Sequence, residues 1–541
     1  MESAGEYDYI IVGAGTAGCL LANRLTRNKN RSVLLIEAGG RDDYLWIHVP
    51  VGYLHCIGNP RTDWLFNTES ELGLGGRSLI YPRGKVLGGS SSINGMIYMR
   101  GQRGDYDRWA DLTGDDSWRW ENVLPIFKKS EDHHAGASDV HGAGGEWRVE
   151  KQRLSWQILD AFRDAAEYVG INKVEDFNGG DNAGSSYFEV NQRRGVRWNA
   201  AKAFLRLAAQ RENLTIMTGC HVERLLIEDT EHGKVCRGVQ FTGGGRAFTA
   251  VAHRETLLAA GAIGSPQILQ LSGIGPAGRL NGHGITPVVD LPGVGENLQD
   301  HLQLRMVFGI SGAKSLNTMA NNWFGKLKIG LEYALFQSGP MSMAPSQLGA
   351  FARSDAGQGT PNLQYHVQPL SLDKFGDPLH GFPAFTASVC NLRPTSRGHV
   401  RIASNDSYAP PRITPNYLST SEDRAIATAA IQLTRQIAAA PPLARFKPQE
   451  FKPGPHYTTD EELVAAAGQI GTTIFHPVGT CKMGRMDDPL AVVDSQLRVK
   501  GVGRLRVVDA SIMPFITSGN TNSPTLMIAE KTAKLIVAGE N

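Results

Sequence analysis

The stretch that most constrains this chain is residues 9–18, YIIVGAGTAG. Four residues of strand type (Tyr9, Ile10, Ile11, Val12) run into G-x-G-x-x-G at Gly13, Gly15 and Gly18, and a helix is predicted over 16–25. In a dinucleotide-binding unit the first glycine makes the tight turn and the second lets backbone approach a pyrophosphate. The third lets helix pack on strand, and the helix N-terminus faces the phosphates. A second apolar strand, 32–36, ends at Glu37, at about the 20-residue spacing of the acid that binds ribose hydroxyls. Strand, turn, helix, second strand and acid together point to a Rossmann-like α/β domain that binds NAD or FAD, which share this fingerprint.

Further glycine junctions follow. Residues 82–101, PRGKVLGGSSSINGMIYMRG, place Gly88, Gly89 and three serines among apolar residues, unlike a Gly/Ser tether. Their backbone N–H groups can approach an anion or a ring closely. Residues 255–260 read as a buried strand entering GAIGSP, where Ser265 before Pro266 predicts a helix start. Strands are expected at 214–217, 222–227 and 505–508, and helices at 105–132, 197–207, 423–439 and 460–467. Between about 302 and 471 no nucleotide-type turn occurs, and alternating segments at 362–368 and 399–402 predict an antiparallel sheet covering the substrate. Residues 323–343 are apolar with two lysines and are expected to form a core helix rather than a membrane-surface element or a lid.

Composition excludes several classes. Of the 541 residues 41% are hydrophobic and 20% charged, and the formal charge is +2, so no nucleic-acid footprint is evident. The length suits two domains or one large composite. Six scattered cysteines without C-x-x-C spacing suit reduced thiols and offer no zinc pattern. Glu131-Asp132-His133-His134 invites a metal reading, but adjacent side chains do not share a helix face, so a solvated loop and no metal are expected. MESAGEYDYI lacks a signal-peptide pattern, and no run reaches the roughly 18 apolar residues of a span. The expected location is the cytoplasm, either free or at the inner face of the membrane.

Residues 84–107 resemble the first signature of the glucose–methanol–choline oxidoreductases, and 261–275, GAIGSPQILQLSGIG, resemble the second. NLQDH at 297–301, HPVGT at 476–480 and GNTN at 519–522 complete the set, so the resemblance spans essentially the whole chain. It implies FAD held in an extended pose by a Rossmann-like domain with a parallel sheet. A substrate domain, an antiparallel sheet flanked by helices, roofs the flavin. The domains would alternate along the chain: FAD-binding at 1–155, 196–305 and 473–541, substrate at 156–195 and 306–472.

The resemblance assigns Gly13, Gly15, Thr16, Ala17 and Glu37 to the ADP half of FAD, with Gly18 and Ala38 beside them. It assigns Ser90, Asn94, Gly95 and Ile97 to the flavin side, and Arg83, Val86, Gly89, Met96, Ala260 and Asn522 complete the predicted cofactor set. Val222 would contact adenine through its backbone, and Asp509, Ala510 and Thr521 would line pyrophosphate and flavin. Some members tether FAD through a histidine where this chain has Ile93, so FAD is expected to be noncovalent.

The resemblance also makes His476, in HPVGT, the active-site base; a neutral imidazole near neutral pH suits removal of a hydroxyl proton. Asn520 falls at the second active-site position, with Asn522 near enough to leave the register open, and Phe475 is either a wall of the site or core. The implied activity is oxidation of a primary alcohol to the aldehyde, with electrons passed to a quinone or other carrier. An oxidase returning them to O2, a flavin-fold hydroxynitrile lyase and a non-enzymatic nucleotide binder are the alternatives. The wording of the motifs is similar to bacterial alcohol and choline dehydrogenases, leaning toward aliphatic or aryl-alkyl alcohols. A choline site would need an aromatic cage and a carboxylate around the cation, and pocket side chains are not placed by sequence. Oligomeric state is not legible.

Overall fold

In the computed structural model, which describes residues 1–374 and 376–539, the fingerprint strand lies inside a seven-stranded sheet. Glu2–Val12 runs parallel to Val33–Glu37 on one side and to Arg246–Leu258 on the other. Leu214–Thr218 and Leu505–Val507 extend the two sides, again in parallel. Strands in such a centre are covered on both faces and so read as continuous apolar runs; Ile10, Ile11 and Val33 to Ile36 are accordingly buried. An antiparallel meander, Cys220–Thr230 with Gly233–Gly243, continues from Arg246–Leu258, so the sheet is mixed rather than wholly parallel.

All ten residues of the helix Thr16–Leu25 are buried. It packs against the last helix, Asn522–Ala538, and Arg24 locks the pair: its Nε lies 2.7 Å from Glu530, and its other end grips Glu146. A buried guanidinium is stable only with such partners, so the two ends of the chain are held together beside the fingerprint.

The second seven-stranded sheet is antiparallel. Its order is Gln449–Lys452, Leu302–Gly309, Ala384–Asn391, Leu363–Gln368, Leu348–Ala352 and Gly184–Tyr187, with Gly471–Thr473 also on Leu302–Gly309. Period-2 alternation divides its faces. Leu304, Met306, Phe308, Tyr365, Val367, Phe385 and Val389 join a core with the helices Gln157–Tyr168 and Ser421–Ala439. Gln303, Arg305, His366 and Gln368 alternate with them and line the central cavity. Both sheets match the expected fold class. The segment 399–402, by contrast, pairs as His399–Arg401 with Arg412–Thr414 in a separate two-stranded ribbon.

Several local expectations are corrected. The span 105–132 is two helices, Arg103–Thr113 and Trp120–Ser130, because Gly114 takes a left-handed φ of +66° and stops the first. Only part of 197–207 is regular α-helix: Ala201–Leu205 winds as a π-helix before Arg206–Ala208. The helix placed at Ser265-Pro266 begins at Gly261 and runs to Leu271, with Pro266 inside it. Proline has no N–H for the carbonyl four residues back, and the Thr480 hydroxyl donates to that Ala262 carbonyl instead, at 2.7 Å. Ser265 is no cap: its hydroxyl donates to Asp509 at 2.6 Å.

Residues 131–134 are not a solvated loop either. Glu131–His133 is a strand, Glu131 is buried against Arg100, and His133 and His134 both meet the Glu189 carboxylate, at 2.8 and 2.9 Å. His134 lies in the turn that follows the strand, and leaving the strand there frees its ring from face-to-face alternation, so both adjacent rings reach the one distant carboxylate.

The helix Trp323–Phe336 is not core. It buries only Ile329 and exposes Trp323, Phe324, Leu327, Leu331, Leu335 and Phe336. Among the described residues no helix is long and apolar enough to cross a membrane.

Candidate active site

One cavity of about 740 Å3 runs from the fingerprint to the polar face of the second sheet. At one end lie Gly13, Gly15, Thr16, Ala17, Glu37 and Ala38, with Val222 and Ala260. Gly13 has φ +97°, and a Cβ on Gly18 would stand 1.9 Å from the Gly13 carbonyl oxygen. Both positions therefore require glycine. The Glu37 carboxylate accepts from Ala14 N and Gly39 N, each at 2.8 Å, which fixes it at the end of its strand. Burial pushes its pKa up to about 7, against those two backbone bonds and Lys85.

The second glycine loop meets the first. A Cβ on Gly89 would come within 2.6 Å of Gly15 Cα, and Gly89 itself has φ +52°. Arg83, Gly89, Ser90, Asn94, Gly95, Met96 and Ile97 line the middle of the cavity. The Asn94 side chain is held by Met96 N at 3.0 Å and by Arg197 at 2.9 Å. From the C-terminal segment come Asp509, Ala510, Thr521 and Asn522. Asp509 accepts from Gly261 N, Ser265 and Ser511, so its carboxylate acts as a strut tying the start of the helix Gly261–Leu271 to the 509–511 segment.

Gly18 and Val86 are the two predicted cofactor residues outside the lining. Gly18 supports the turn from behind, and Val86 is buried with Ile47, Cys56 and Ile93.

These residues fit a dinucleotide. The helix at Thr16 has no side-chain cap at Gly15, so its first N–H groups remain for an anion. Asn522 Nδ2 is buried without a partner, while its Oδ1 accepts from Thr16 at 2.7 Å. A buried orphan donor costs roughly 1–3 kcal/mol unless something accepts from it. FAD in this cavity would be held by the Gly13–Gly18 turn, Glu37 and the Ser90–Ile97 loop.

At the other end stand His476 and Asn520. His476 is 8% exposed, and its backbone N–H donates to Asp300 at 2.8 Å. Asp300 also accepts from Tyr81, Tyr417 and Thr473, a buried anchor that fixes the backbone of the segment. Phe475 has φ +68° and lines the cavity, so it is a wall. A left-handed phenylalanine costs on the order of 1–3 kcal/mol, and its carbonyl is held in place by Arg83 at 2.6 Å.

The partners assign the imidazole protons. His301 Nε2 lies 3.1 Å from the Leu392 carbonyl, which can only accept, so that nitrogen carries hydrogen. Burial lowers the His301 pKa to about 4, so the ring is neutral and its Nδ1 is bare. His476 Nδ1, 3.1 Å from that atom, must then be the donor. What remains on His476 is a bare Nε2, 3.0 Å from the Asn520 amide, whose N–H2 donates to it. Asn520, not Asn522, is thus the neighbour of His476.

Burial, with His301, His366 and Arg83 around it, holds the His476 pKa well below its usual value. The ring is therefore neutral throughout the ordinary pH range, rather than poised near neutrality. His301, His366 and Arg305 were not singled out as site residues. His301 lies in the recognised NLQDH motif, but 175 residues separate it from His476.

A buried polar network lies apart from the cavity. His133 and His134 meet Glu189, and His141 bridges Glu131 and Asp176 at 3.1 Å each. Arg100 adds 2.8 Å to Glu131, so hydrogen bonds already engage these histidines.

A fold with room for a dinucleotide under an antiparallel roof, and a neutral histidine at the far end, is that of a dinucleotide-dependent oxidoreductase. The GMC oxidoreductase family models match residues 7–303 (N-terminal) and 394–529 (C-terminal), and the chain belongs to this family. It is 40% identical over 535 residues to an oxygen-dependent choline dehydrogenase of Vibrio vulnificus, covering 98% of this chain and 94% of that one. It is also 40% identical to an alcohol dehydrogenase [acceptor] of Pseudomonas putida, covering 98% and 96%. The human mitochondrial choline dehydrogenase is 41% identical, with 99% and 90% covered. Among solved structures, pyridoxine 4-oxidase from Mesorbium loti superposes with a TM-score of 0.89 at 33% identity, covering 98% of this chain and 99% of that one.

Proposed function

We propose that this protein oxidises a primary alcohol to the aldehyde with FAD, and that His476 is the base. The observation that carries the reading is the bare Nε2 of His476, next to Asn520, in the cavity that also holds the fingerprint. His476 Nε2 takes the hydroxyl proton, while Nδ1–H stays bonded to His301 and keeps the ring aimed. Asn520 donates to the substrate oxygen through its amide and holds it beside Nε2. FAD, when bound, would supply the two-electron oxidant, taking both electrons with the hydride of the carbinol carbon. Ile93, buried at the flavin side of the cavity, offers no nucleophile, which supports a noncovalent cofactor.

The electrons go to a quinone or another carrier; the name of the Pseudomonas putida relative gives an acceptor and does not specify it. Oxygen is the second reading, favoured by the oxygen-dependent name of the Vibrio relative and by the pyridoxine oxidase likeness. Peroxide release on admitting air separates the two.

In the test, protein under argon is mixed with primary alcohols and the flavin absorbance is followed. His476→Ala should slow bleaching by about 100- to 10,000-fold, the usual share of general base catalysis, with FAD retained. Asn520→Ala should lose less, because it positions oxygen without taking the proton. Near-normal bleaching in an FAD-loaded His476→Ala protein would remove the assignment.

A further inference from the structure

The substrate end of the cavity contains a guanidinium that nothing answers. Arg305 lies on Leu302–Gly309, alternating with Leu304, Met306 and Phe308, which face the apolar core. Its side chain lines the cavity with Gln303 and Gln368. Among the described residues it has no ion pair and no side-chain hydrogen bond. Burial lowers its pKa, and the one group that opposes this is the Tyr53 hydroxyl. Arg24 and Arg100, both buried, are answered by carboxylates, Arg24 by Glu146 and Glu530 and Arg100 by Glu131, while Arg197 has only the Ser91 carbonyl and the Asn94 side chain.

The acids that share the cavity lining are committed elsewhere. Glu37 holds two backbone N–H groups beside the fingerprint, Asp509 holds Gly261, Ser265 and Ser511, and Asp377 caps an exposed turn through Lys374 N. Directly across the ladder from Arg305 is Ser388, whose buried hydroxyl also has no partner.

An unpaired cation away from bulk water is costly unless a ligand supplies the missing charge. A planar guanidinium matches the two oxygens of a carboxylate. Leu316, Met343, Leu370 and Leu372 line the same cavity and suit a hydrocarbon spacer. We infer that the substrate is an alcohol carrying an anionic group, an ω-hydroxycarboxylate, with its carboxylate on Arg305 and its carbinol at His476. The inference rests on the alcohol-oxidising reading above and narrows its substrate class. It also disfavours choline, since a quaternary ammonium here would face Arg305 with no uncommitted carboxylate to offset it.

The test uses FAD-loaded protein, a homologous series of ω-hydroxycarboxylates, the matched n-alkanols, choline, and the matched fatty acids as non-oxidisable probes. The wild type should prefer the hydroxyacid over the matched alkanol in kcat/KM. Calorimetry should show the fatty acid binding competitively. Arg305→Gln should shrink that preference at least about tenfold, the value of one charge-assisted contact, and abolish fatty-acid binding, while Arg305→Lys retains part of both. FAD content and melting temperature are measured on each variant.

A wild-type preference for alkanols or choline, or a preference unchanged in Arg305→Gln, would overturn the inference. Loss of FAD from Arg305→Gln would overturn it too, by giving the guanidinium to the cofactor. Fatty-acid binding that depends on Arg305, with no alcohol of any charge bleaching the flavin, would uphold the anion site and discard the oxidation reading instead.

Discussion

The direction in which His476 points its lone pair is decided by His301. With His301 locked to the Leu392 carbonyl, its Nδ1 can only accept, and that obliges His476 to donate from Nδ1 and present Nε2. His301 is thus a positioning residue. His301→Ala should lower the bleaching rate about tenfold or more, because the base loses the partner that selects its tautomer. His301→Gln, whose amide can both accept from His476 and donate to Leu392, should restore much of the rate. A purely space-filling role predicts the reverse, with rescue by an apolar residue of similar size; stopped-flow reduction of the variants decides between them. This dependence could not be read from the chain. HPVGT pointed to His476 through resemblance, but no spacing rule joins residues 175 apart. Arg305 was equally hidden: alternation says only that a side chain lies on one face of a strand, not that the facing side lacks a carboxylate.

The cofactor end is built by two glycine loops pressed together, and that part was largely legible. Strand, G-x-G-x-x-G, helix and acid have short, local geometric requirements, and the chain meets them at Gly13, Gly18 and Glu37. The second loop was recognisable as glycine-rich, whereas its seat on the first was not. Gly89→Ala should break that seat, since its Cβ would come within 2.6 Å of Gly15 Cα, backbone against backbone, at φ +52°. FAD titration should show affinity reduced at least about tenfold, with the backbone strain alone worth on the order of 1 kcal/mol. Gly40→Ala, which meets nothing within 4 Å, is the control.

Elements were misread where a polar or apolar pattern had two solutions. Residues 323–336 have a core-like composition and yet sit outside, because the adjoining strands bury their other face against different helices. Residues 131–134 look solvated, yet Arg100 meets Glu131 and the distant Glu189 carboxylate meets both His133 and His134. In both, contacts distant in sequence override local pattern.

Across the whole molecule, buried titratable groups pull stability in opposite directions with pH. His301 and His366 are lowered by burial to about 4 and about 3, and His476 is also well below its usual value. Below the unfolded pKa of about 6.5 the unfolded chain takes up protons that the folded one refuses. Each such histidine therefore removes up to about 1.4 kcal/mol of stability per pH unit as the medium is acidified. Glu37 opposes them: raised to about 7 by burial, it keeps its proton in the folded state where the unfolded chain has lost it. Burial raises Asp105 and Asp509 in the same sense. His141 acts in another window. Although burial lowers it, Asp176 and Glu131 push it to about 9, so its contribution is complete below about 6.5 and fades as pH rises toward 9.

The wild-type curve is a difference among these groups, and single substitutions isolate them. Chemical denaturation of His366→Gln between pH 4 and 6 should show a slope shallower toward acid by about one proton, roughly 1.4 kcal/mol per pH unit. Over the same range His141→Gln should shift the curve without changing its slope, and should flatten it instead between pH 7 and 9. Parallel acid limbs for wild type and His366→Gln would mean that the ring is protonated inside the fold. The neutral state of His366 beside the proposed base His476 would then have to be abandoned.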